Sequence, residues 1–185
     1  MRKTVFGLIF LLASCGGGGG SSGGGSSDSN SSKNPSPQPA NQISVATTLA
    51  ALESSGQLPV LDHSAGLGGT DTNSNGVRDD IDTWITRQNV SIPQQSALTQ
   101  HARSLQSALV VDLNAPVAVS NASLAIGRGI ACIWSRFDNA TANRVAGDLE
   151  KFTVNTKERA IVYMKFSIAL SGSVLAMPEG ATCDQ

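Results

Sequence analysis

From about residue 43 onwards, apolar residues recur every three or four positions, which is the period of amphipathic α-helices. Glycine or proline marks several points where the pattern stops, and Pro93 and Pro116 stand where proline favours a helix start. The predicted helices are 45–54, 79–88, 93–112, 116–137, 141–152 and 155–171. No stretch alternates apolar and polar residues like a half-buried strand, so we predict a small all-α domain of five to six helices over 43–185.

Each predicted helix carries an apolar face. Val45, Leu49 and Leu52 form that of the first helix, and Ile81, Trp84 and Ile85 form that of the second. The residues of the other four helices expected to point inward are Leu98, Ala102, Leu105, Leu109, Ile126, Ile130, Ile133, Trp134, Phe137, Val145, Leu149, Phe152, Ile161, Met164 and Ile168. Asn155, with Glu158 three residues later, predicts a capping box at the start of the last helix. Gly127 and Gly129 weaken the fourth helix by propensity, so we expect another backbone to pack closely there.

A short apolar run near the start of the chain predicts export. Arg2 and Lys3 precede apolar residues 5–12, a run well below the ~20 residues of a membrane-spanning helix. The run ends in Leu12-Ala13-Ser14-Cys15, which resembles a bacterial lipobox. The resemblance implies that a signal peptide, 1–14, is removed and that Cys15 carries acyl chains such as palmitate, making the protein an envelope lipoprotein. The alternative is an ordinary secretory signal in which Cys15 is incidental.

Residues 15–42 consist largely of Gly, Ser, Asn and Pro and contain no large apolar side chain. Ordering such a segment would cost entropy without offsetting burial, so we predict a disordered linker. With about 27 residues, its root-mean-square reach is roughly 25–30 Å, enough to lift the domain clear of lipid headgroups. In Gram-negative lipoproteins, an aspartate after the lipidated cysteine favours the inner membrane, so Gly16 favours the outer membrane if the source is Gram-negative.

One polar segment interrupts the helical pattern. Residues 71–82 place oxygen-bearing side chains at loop positions 1, 3, 5, 9 and 12, with Gly76 at position 6. Calcium takes six to eight oxygen ligands, so the backbone must curl around one point, and glycine permits the sharp turn. The spacing resembles the EF-hand-like calcium loops of dockerins, thrombospondin type 3 repeats and bacterial envelope proteins. The resemblance implies Ca²⁺ as the cofactor and, as ligands, Asp71, Asn73, Asn75, the carbonyl of Val77, Asp79 and Asp82.

Two positions of this loop depart from the EF-hand pattern. Asp82 is shorter than the usual glutamate at position 12, and Arg78 replaces the aliphatic residue that usually pairs with a twin loop. No second loop exists in the sequence, and 58–69 is too rich in Gly and Pro for an entering helix, so we predict an unpaired site. The alternative is a polar turn in which Asp79 or Asp80 caps the next helix without a metal.

Charge and composition restrict the partners. The formal net charge is -1 and the Lys and Arg residues are scattered, which argues against nucleic acid. Aromatic residues make up 4% of the chain, too few for a large stacking platform. The partners predicted are the membrane, through the N-terminal lipid, and an unidentified envelope or extracellular protein.

The cysteines predict one disulfide. With Cys15 assigned to lipid, Cys132 and Cys183 remain, and an exported protein meets oxidising conditions. Closing a loop of about 50 residues stabilises the fold by about 4 kcal/mol in the chain-entropy model. The alternative is a buried free thiol at Cys132 and an exposed one at Cys183.

Catalytic chemistry has little support in the sequence. Asp62-His63-Ser64 contains the residue types of a catalytic triad, but adjacent residues do not meet in triad geometry. His101 lies within a predicted helix, where we expect it on the surface or at the rim of the core. We therefore predict a structural or protein-binding role rather than an enzyme. The alternative is a hydrolase-like envelope enzyme whose site is not recognisable in the sequence.

Overall fold

Six α-helices, and no strand, occur in the part of the chain that the computed structural model describes, which comprises residues 45–56, 58–174 and 178–184. The helices are α1 (Val45–Ser54), α2 (Asp79–Arg87), α3 (Ile92–Val110), α4 (Pro116–Arg136), α5 (Asn139–Thr153) and α6 (Lys157–Ala169). The predicted all-α class is confirmed. The predicted signal peptide, the lipidated Cys15 and the linker 15–42 lie outside the described residues.

Short-range hydrogen bonds set the starts of α3 and α6. At α3, Ser91 and Gln94 form a capping box in which the Ser91 N–H donates to Gln94 Oε1 at 2.9 Å. At α6, the capping residue is Thr156, whose hydroxyl accepts from the Arg159 N–H at 3.2 Å. The capping box predicted from Asn155 is therefore wrong, because the Asn155 amide contacts two buried arginines instead.

The main core forms around α3, because α2, α4, α5 and α6 all pack against it. The buried members of this core are Val77, Ile81, Ile85, Ala97, Leu98, Ala102, Leu105, Cys132, Ile133, Ala142, Val145 and Leu149. The predicted apolar faces of α3 and α5 are thereby confirmed. Among the described residues, α4 is the one helix long and apolar enough to cross a membrane by length and composition, yet Cys132 and Ile133 on it belong to this core.

A second, smaller apolar cluster lies where α3 and α6 end and α4 begins. Its buried members are Ala108, Val119, Ala122 and Phe166. Val111, Leu113, Ile126, Tyr163 and Leu170 pack against them and are partly buried. The three helix ends are thus joined by a second cluster, which meets the main core at Ile126 and Tyr163.

Several residues predicted to point inward are exposed. Trp134 is 49% exposed, and Ile161, Met164 and Ile168 are 37%, 57% and 64% exposed. The predicted apolar face of α6 is therefore wrong. Arg159 and Phe166 occupy its buried face instead, because polar groups from a distant segment satisfy the Arg159 guanidinium.

α3 and α4 approach each other closely at Gly129. A Cβ atom at this position would lie 2.8 Å from the Cα of His101, which confirms the predicted close packing of another backbone. His101 is 2% exposed, so the predicted surface or rim position is wrong. Burial lowers the pKa of His101 to about 4, and its Nδ1 has no hydrogen-bond partner.

A disulfide joins Cys132 on α4 to Cys183 in the tail, with Cα atoms 4.9 Å apart, as the sequence predicts. Gln100 on α3 holds the same tail through both ends of its amide. Its Nε2 donates to the Thr182 carbonyl at 2.8 Å, and its Oε1 accepts from the Asp184 N–H at 2.9 Å. The end of the described chain is therefore attached to two core helices.

Candidate calcium site

Residues 71–77 form a tight turn whose side chains bond to its own backbone. Gly76 has φ 81°, and Ser74 is the one non-glycine residue with positive φ among the described residues. The Asp71 carboxylate accepts from the N–H groups of Asn75 and Gly76 at 3.2 Å and 2.9 Å. Asn75 Oδ1 accepts in turn from the Val77 N–H at 2.7 Å. These bonds curl the backbone around one point, as a cation site requires.

Three of the predicted ligand side chains converge at the start of α2. Asp82 Oδ2 accepts from Nδ2 of Asn75 at 2.6 Å and from Nδ2 of Asn73 at 3.2 Å. Rotation of the Asn73 amide would turn an oxygen toward Asp82 and place two oxygen ligands on one side of a bound cation. The donor set is made of hard oxygens, so its chemistry fits Ca²⁺.

The other predicted ligands are placed differently. Asp79 accepts from Thr72 through both carboxylate oxygens, from the N–H at 2.9 Å and from the hydroxyl at 2.6 Å. The Thr72 hydroxyl, followed by its N–H, lowers the pKa of Asp79. Asp79 still lines the same open depression as Asn73, Asn75 and Asp82, with a volume of about 540 Å³.

The three loop carboxylates do not form one cluster. Asp71 faces backbone N–H groups, and no group of three or more His, Cys, Asp or Glu side chains among the described residues is arranged to hold a metal.

The polar-turn alternative also needs correction, because the N-cap of α2 is Arg78 rather than Asp79 or Asp80. Arg78 makes no side-chain cap bond there.

The loop is joined to the core at its C-terminal half. Val77 and Ile81 are 0% exposed, and both belong to the main apolar core. Trp84, one turn further along α2, packs edge-to-face on Phe152 of α5 with ring centroids 5.2 Å apart. On the other side, Arg103 Nε of α3 donates to the Asn75 carbonyl at 2.7 Å. A change in the loop therefore acts directly on the packing of α2 against α3 and α5.

Arg78, at position 8 of the loop, is fully buried. Its Nε and Nη2 donate to the two carboxylate oxygens of Asp80 at 2.7 Å and 2.8 Å. Nη2 also donates to the Phe152 carbonyl at 2.8 Å, and Nη1 donates to Asn155 Oδ1 at 3.2 Å. This side chain links the start of α2 to the end of α5.

A second buried arginine, Arg159 on α6, holds the irregular segment before the loop. It donates to the carbonyls of Asp62, Gly66 and Leu67 and to Asn155 Oδ1. Burial, and then the charge of Arg78, lower the pKa of Arg159, which remains a cation at neutral pH. Hydrogen bonds from Ser64, first its side chain, and from Thr70 hold the pKa of Asp62 well below its usual range.

We refer to Arg78, Arg159, Asp62, Asp80 and Asn155 as the arginine cluster. No periodicity or motif in the sequence predicts it, and Gly69 shows how closely the chain packs around it. A Cβ atom at Gly69 would lie 2.2 Å from Cδ of Arg78, so the backbone approaches the buried side chain closely. Gly69 also has a φ of +63°. Glycine at this position makes room for the guanidinium stem.

His63 does not join its neighbours in a catalytic arrangement. Its side chain is 55% exposed, and Nε2 lies 4.0 Å from a carboxylate oxygen of Glu53. The Asp62 carboxylate instead accepts from the backbone N–H groups of Ser64 and Thr70. These bonds order the segment that leads into the loop.

Comparisons with known proteins assign no family to this fold. No family model matches the chain, and no curated protein or solved structure matches it either.

Proposed function

We propose that the protein is a lipid-anchored component of the bacterial cell envelope whose helical module is stabilised by Ca²⁺. Its role is structural or protein-binding, and the outer membrane is the location expected if the source is Gram-negative. The observation that carries the calcium proposal is the convergence of Asn73, Asn75 and Asp82 on one point, inside a turn closed by Asp71 and Gly76.

In this proposal, the ion replaces the amide N–H groups that now face Asp82. Oxygens of Asp71, Asn73, Asn75 and Asp82 and the carbonyl of Val77 would bind it, and Asp79 would bind directly or through water. Asp79 and Asp82 line the same depression, and their two negative charges favour a divalent cation there. Because Val77 and Ile81 are buried in the core, the folded domain alone presents these ligands together.

Calcium therefore stabilises the folded state. At a free concentration about 100 times the dissociation constant, binding adds about 2.7 kcal/mol to the free energy of unfolding. The short Asp82 and the lack of a twin loop place the dissociation constant at roughly 10⁻⁵–10⁻³ M, toward the range of extracellular modules.

The test is thermal unfolding in calcium and in a chelator. We expect the unfolding midpoint of the wild-type protein to be higher in calcium than in chelator. For Asp82→Asn the two midpoints should be equal, because the carboxylate on which the amides converge has lost its charge. Asp112→Asn is the matched control, because Asp112 is an exposed aspartate at the α3–α4 turn, outside the loop. Equal wild-type midpoints in the two conditions would favour the metal-free polar turn, as would a full response of Asp82→Asn.

The anchor is tested separately by intact mass. We expect the mature protein to begin at an acylated Cys15, and Cys15→Ser to retain the unprocessed signal sequence. An unmodified Cys15 in protein recovered from membranes would support the ordinary secretory signal instead. A partner protein would be sought by cross-linking the anchored protein in its own envelope.

A further inference from the structure

A cavity of about 250 Å³ lies between α3 and α4, next to the tail that the disulfide holds. Its polar lining includes Arg103, Ser104 and Ser107 on α3, Arg128 on α4 and Asp184 in the tail. We call this cavity the α3–α4 pocket. Among the described residues, none of the predicted calcium ligands lines it, so it is a separate site from the depression at the loop.

Arg103 is held in place by the loop, yet most of its donors are unused. Its Nε donates to the Asn75 carbonyl at 2.7 Å, and its stem packs on Gly76, where a Cβ atom would lie 3.1 Å from Cγ of Arg103. Neither Nη group of Arg103 makes a hydrogen bond or an ion pair within the described part of the chain. The guanidinium is therefore fixed at the α3–α4 pocket with both Nη groups left for a ligand.

Arg128 has one charged partner among the described residues, and the contact is loose. Its Nη2 lies 3.8 Å from Oδ1 of Asp184, which is too long for a hydrogen bond, and the two side chains are 41% and 57% exposed. Exposed ion pairs of this kind contribute little to stability, so another anion can displace the Asp184 carboxylate at small cost. The α3–α4 pocket thus sets two positive charges against one weakly held negative charge.

The backbone of Asp184 is fixed, whereas its side chain is free to turn. Gln100 Oε1 accepts from the Asp184 N–H at 2.9 Å, and the disulfide holds the preceding residue, Cys183. The Asp184 carboxylate accepts no hydrogen bond from the described residues. Rotation of this side chain into solvent therefore opens the α3–α4 pocket without moving the tail, and a ligand finds the walls already formed.

We propose that the α3–α4 pocket binds a small oxyanion, a carboxylate or a phosphate, between Arg103 and Arg128, and that Asp184 competes with this ligand. A guanidinium presents paired N–H donors whose geometry matches the oxygens of both groups. The Ser104 and Ser107 hydroxyls donate to the carbonyls of His101 and Ser104, each at 2.7 Å, so the two arginines supply the donors.

The size of the α3–α4 pocket restricts the ligand. Pockets for drug-sized molecules have about 300–1,000 Å³, and this one has about 250 Å³. It suits inorganic phosphate, a short dicarboxylate or the anionic end of a larger molecule. The proposal depends on neither calcium nor the lipid anchor, since every residue that it uses lies on α3, on α4 or in the tail.

The experiment is an NMR titration of the isotope-labelled full chain with its disulfide intact. Inorganic phosphate and succinate are added in separate series, with chloride adjusted to keep the ionic strength constant. The buffer is made calcium-free with a resin, because a soluble chelator is itself a carboxylate. We expect saturable shifts of the amide signals of Ser104, Ala125 and Arg128. Saturation by phosphate alone or by succinate alone would support the proposal and assign the ligand to that class.

Three variants and a control test the roles of the charged side chains. Arg103→Met and Arg128→Met should each raise the dissociation constant at least about tenfold, and Arg128→Met does so without touching the loop. Asp184→Asn should lower it severalfold, because the competing charge is gone. Arg144→Met is the matched control, an arginine on α5 that is 57% exposed and outside the α3–α4 pocket, and it should change nothing.

Several results would overturn the proposal. One is that neither anion gives saturable shifts, and another is that Arg103→Met or Arg128→Met binds as tightly as the wild type. Equal or weaker binding by Asp184→Asn would also overturn it, since weaker binding is the result expected if the ligand carries a cation that Asp184 holds. None of these results bears on the calcium response of the unfolding midpoint, so the proposed function stands or falls separately.

Discussion

Replacing Arg78 by methionine tests whether the arginine cluster joins the loop to α5. Methionine has a similar length but no donors, so the variant loses both bonds to Asp80, together with those to the Phe152 carbonyl and Asn155. The packing of the stem is largely retained. The perturbation therefore acts mainly on the buried charge and its hydrogen bonds.

The expected cost follows from the burial of the pair. The Asp80 side chain is 9% exposed, and without Arg78 it keeps bonds from the N–H groups of Asp62 and Ile81 but loses the cation that is hydrogen-bonded to it. Removing one partner of a buried ion pair costs about 3–5 kcal/mol. For a domain of this size, we expect a fall of about 10–15 °C in the unfolding midpoint.

The assay is chemical and thermal unfolding of Arg78→Met beside Arg103→Met. Arg103 also donates to the loop, with Nε 2.7 Å from the Asn75 carbonyl, but it is exposed, so its loss should cost less than about 1 kcal/mol. A cost for Arg78→Met no larger than that for Arg103→Met would refute the reasoning. In the double variant Arg78→Met/Asp80→Ala, the cost should be less than the sum of the two single costs, because no carboxylate is left without its cation.

Three further predictions concern single features of the fold. Gly69→Ala should destabilise the domain by about 3 kcal/mol, because residue 69 has a positive φ and the added Cβ would contact the buried side chain of Arg78. Gly68→Ala is the control: it has open space around it and should change stability by less than about 1 kcal/mol. Similar unfolding midpoints for these two variants would contradict this account. Because burial lowers the pKa of His101 to about 4, the folded state favours the neutral imidazole. The contribution of His101 to the free energy of unfolding is complete above pH 6.5 and falls by about 3 kcal/mol as the pH drops to 4. In chelator, His101→Gln should therefore lose about 3 kcal/mol less stability than the wild type between pH 6.5 and pH 4. The same pH dependence in both proteins would be inconsistent with a buried neutral His101. Replacing Cys132 and Cys183 by serine should lower the free energy of unfolding by about 4 kcal/mol, because the disulfide joins residues 51 positions apart. Peptide mapping that finds free thiols at both positions in the wild type would exclude the bond.

Much of the helical architecture could be predicted because its signals are local. Apolar periodicity and the prolines at 93 and 116 gave helix bounds within about two residues of those observed. The spacing along the loop predicted oxygen ligands around a cation, and that stays a prediction; the contacts present are N–H groups of Asn73 and Asn75 that donate to Asp82. The spacing did not predict the hydrogen bonds that Asp71 and Asp79 accept, because these depend on which N–H and O–H donors of the folded loop lie nearest.

The arginine cluster could not be predicted because its bonds span long distances in sequence. Arg78 contacts residues 74 and 77 positions away, and Arg159 contacts carbonyls more than 90 positions away. Apolar periodicity along a helix predicts that arginine is exposed to solvent and that isoleucine is buried in the core. Ile161 and Ile168 were predicted as buried for this reason. Once Arg159 turns inward, the opposite face of α6 carries these apolar residues into solvent.

The burial of the arginine cluster has a consequence for the response of the domain to ionic strength. At physiological ionic strength the Debye length is about 8 Å, so mobile ions screen exposed pairs such as Arg144 with Asp148. Arg78 and Asp80, with side chains 0% and 9% exposed, are largely out of reach of those ions. A rise in salt therefore weakens the attraction of the loop for a cation while the link between α2 and α5 persists. If the proposed ion binds the loop, a rise in ionic strength would release it without releasing the helix that the loop begins.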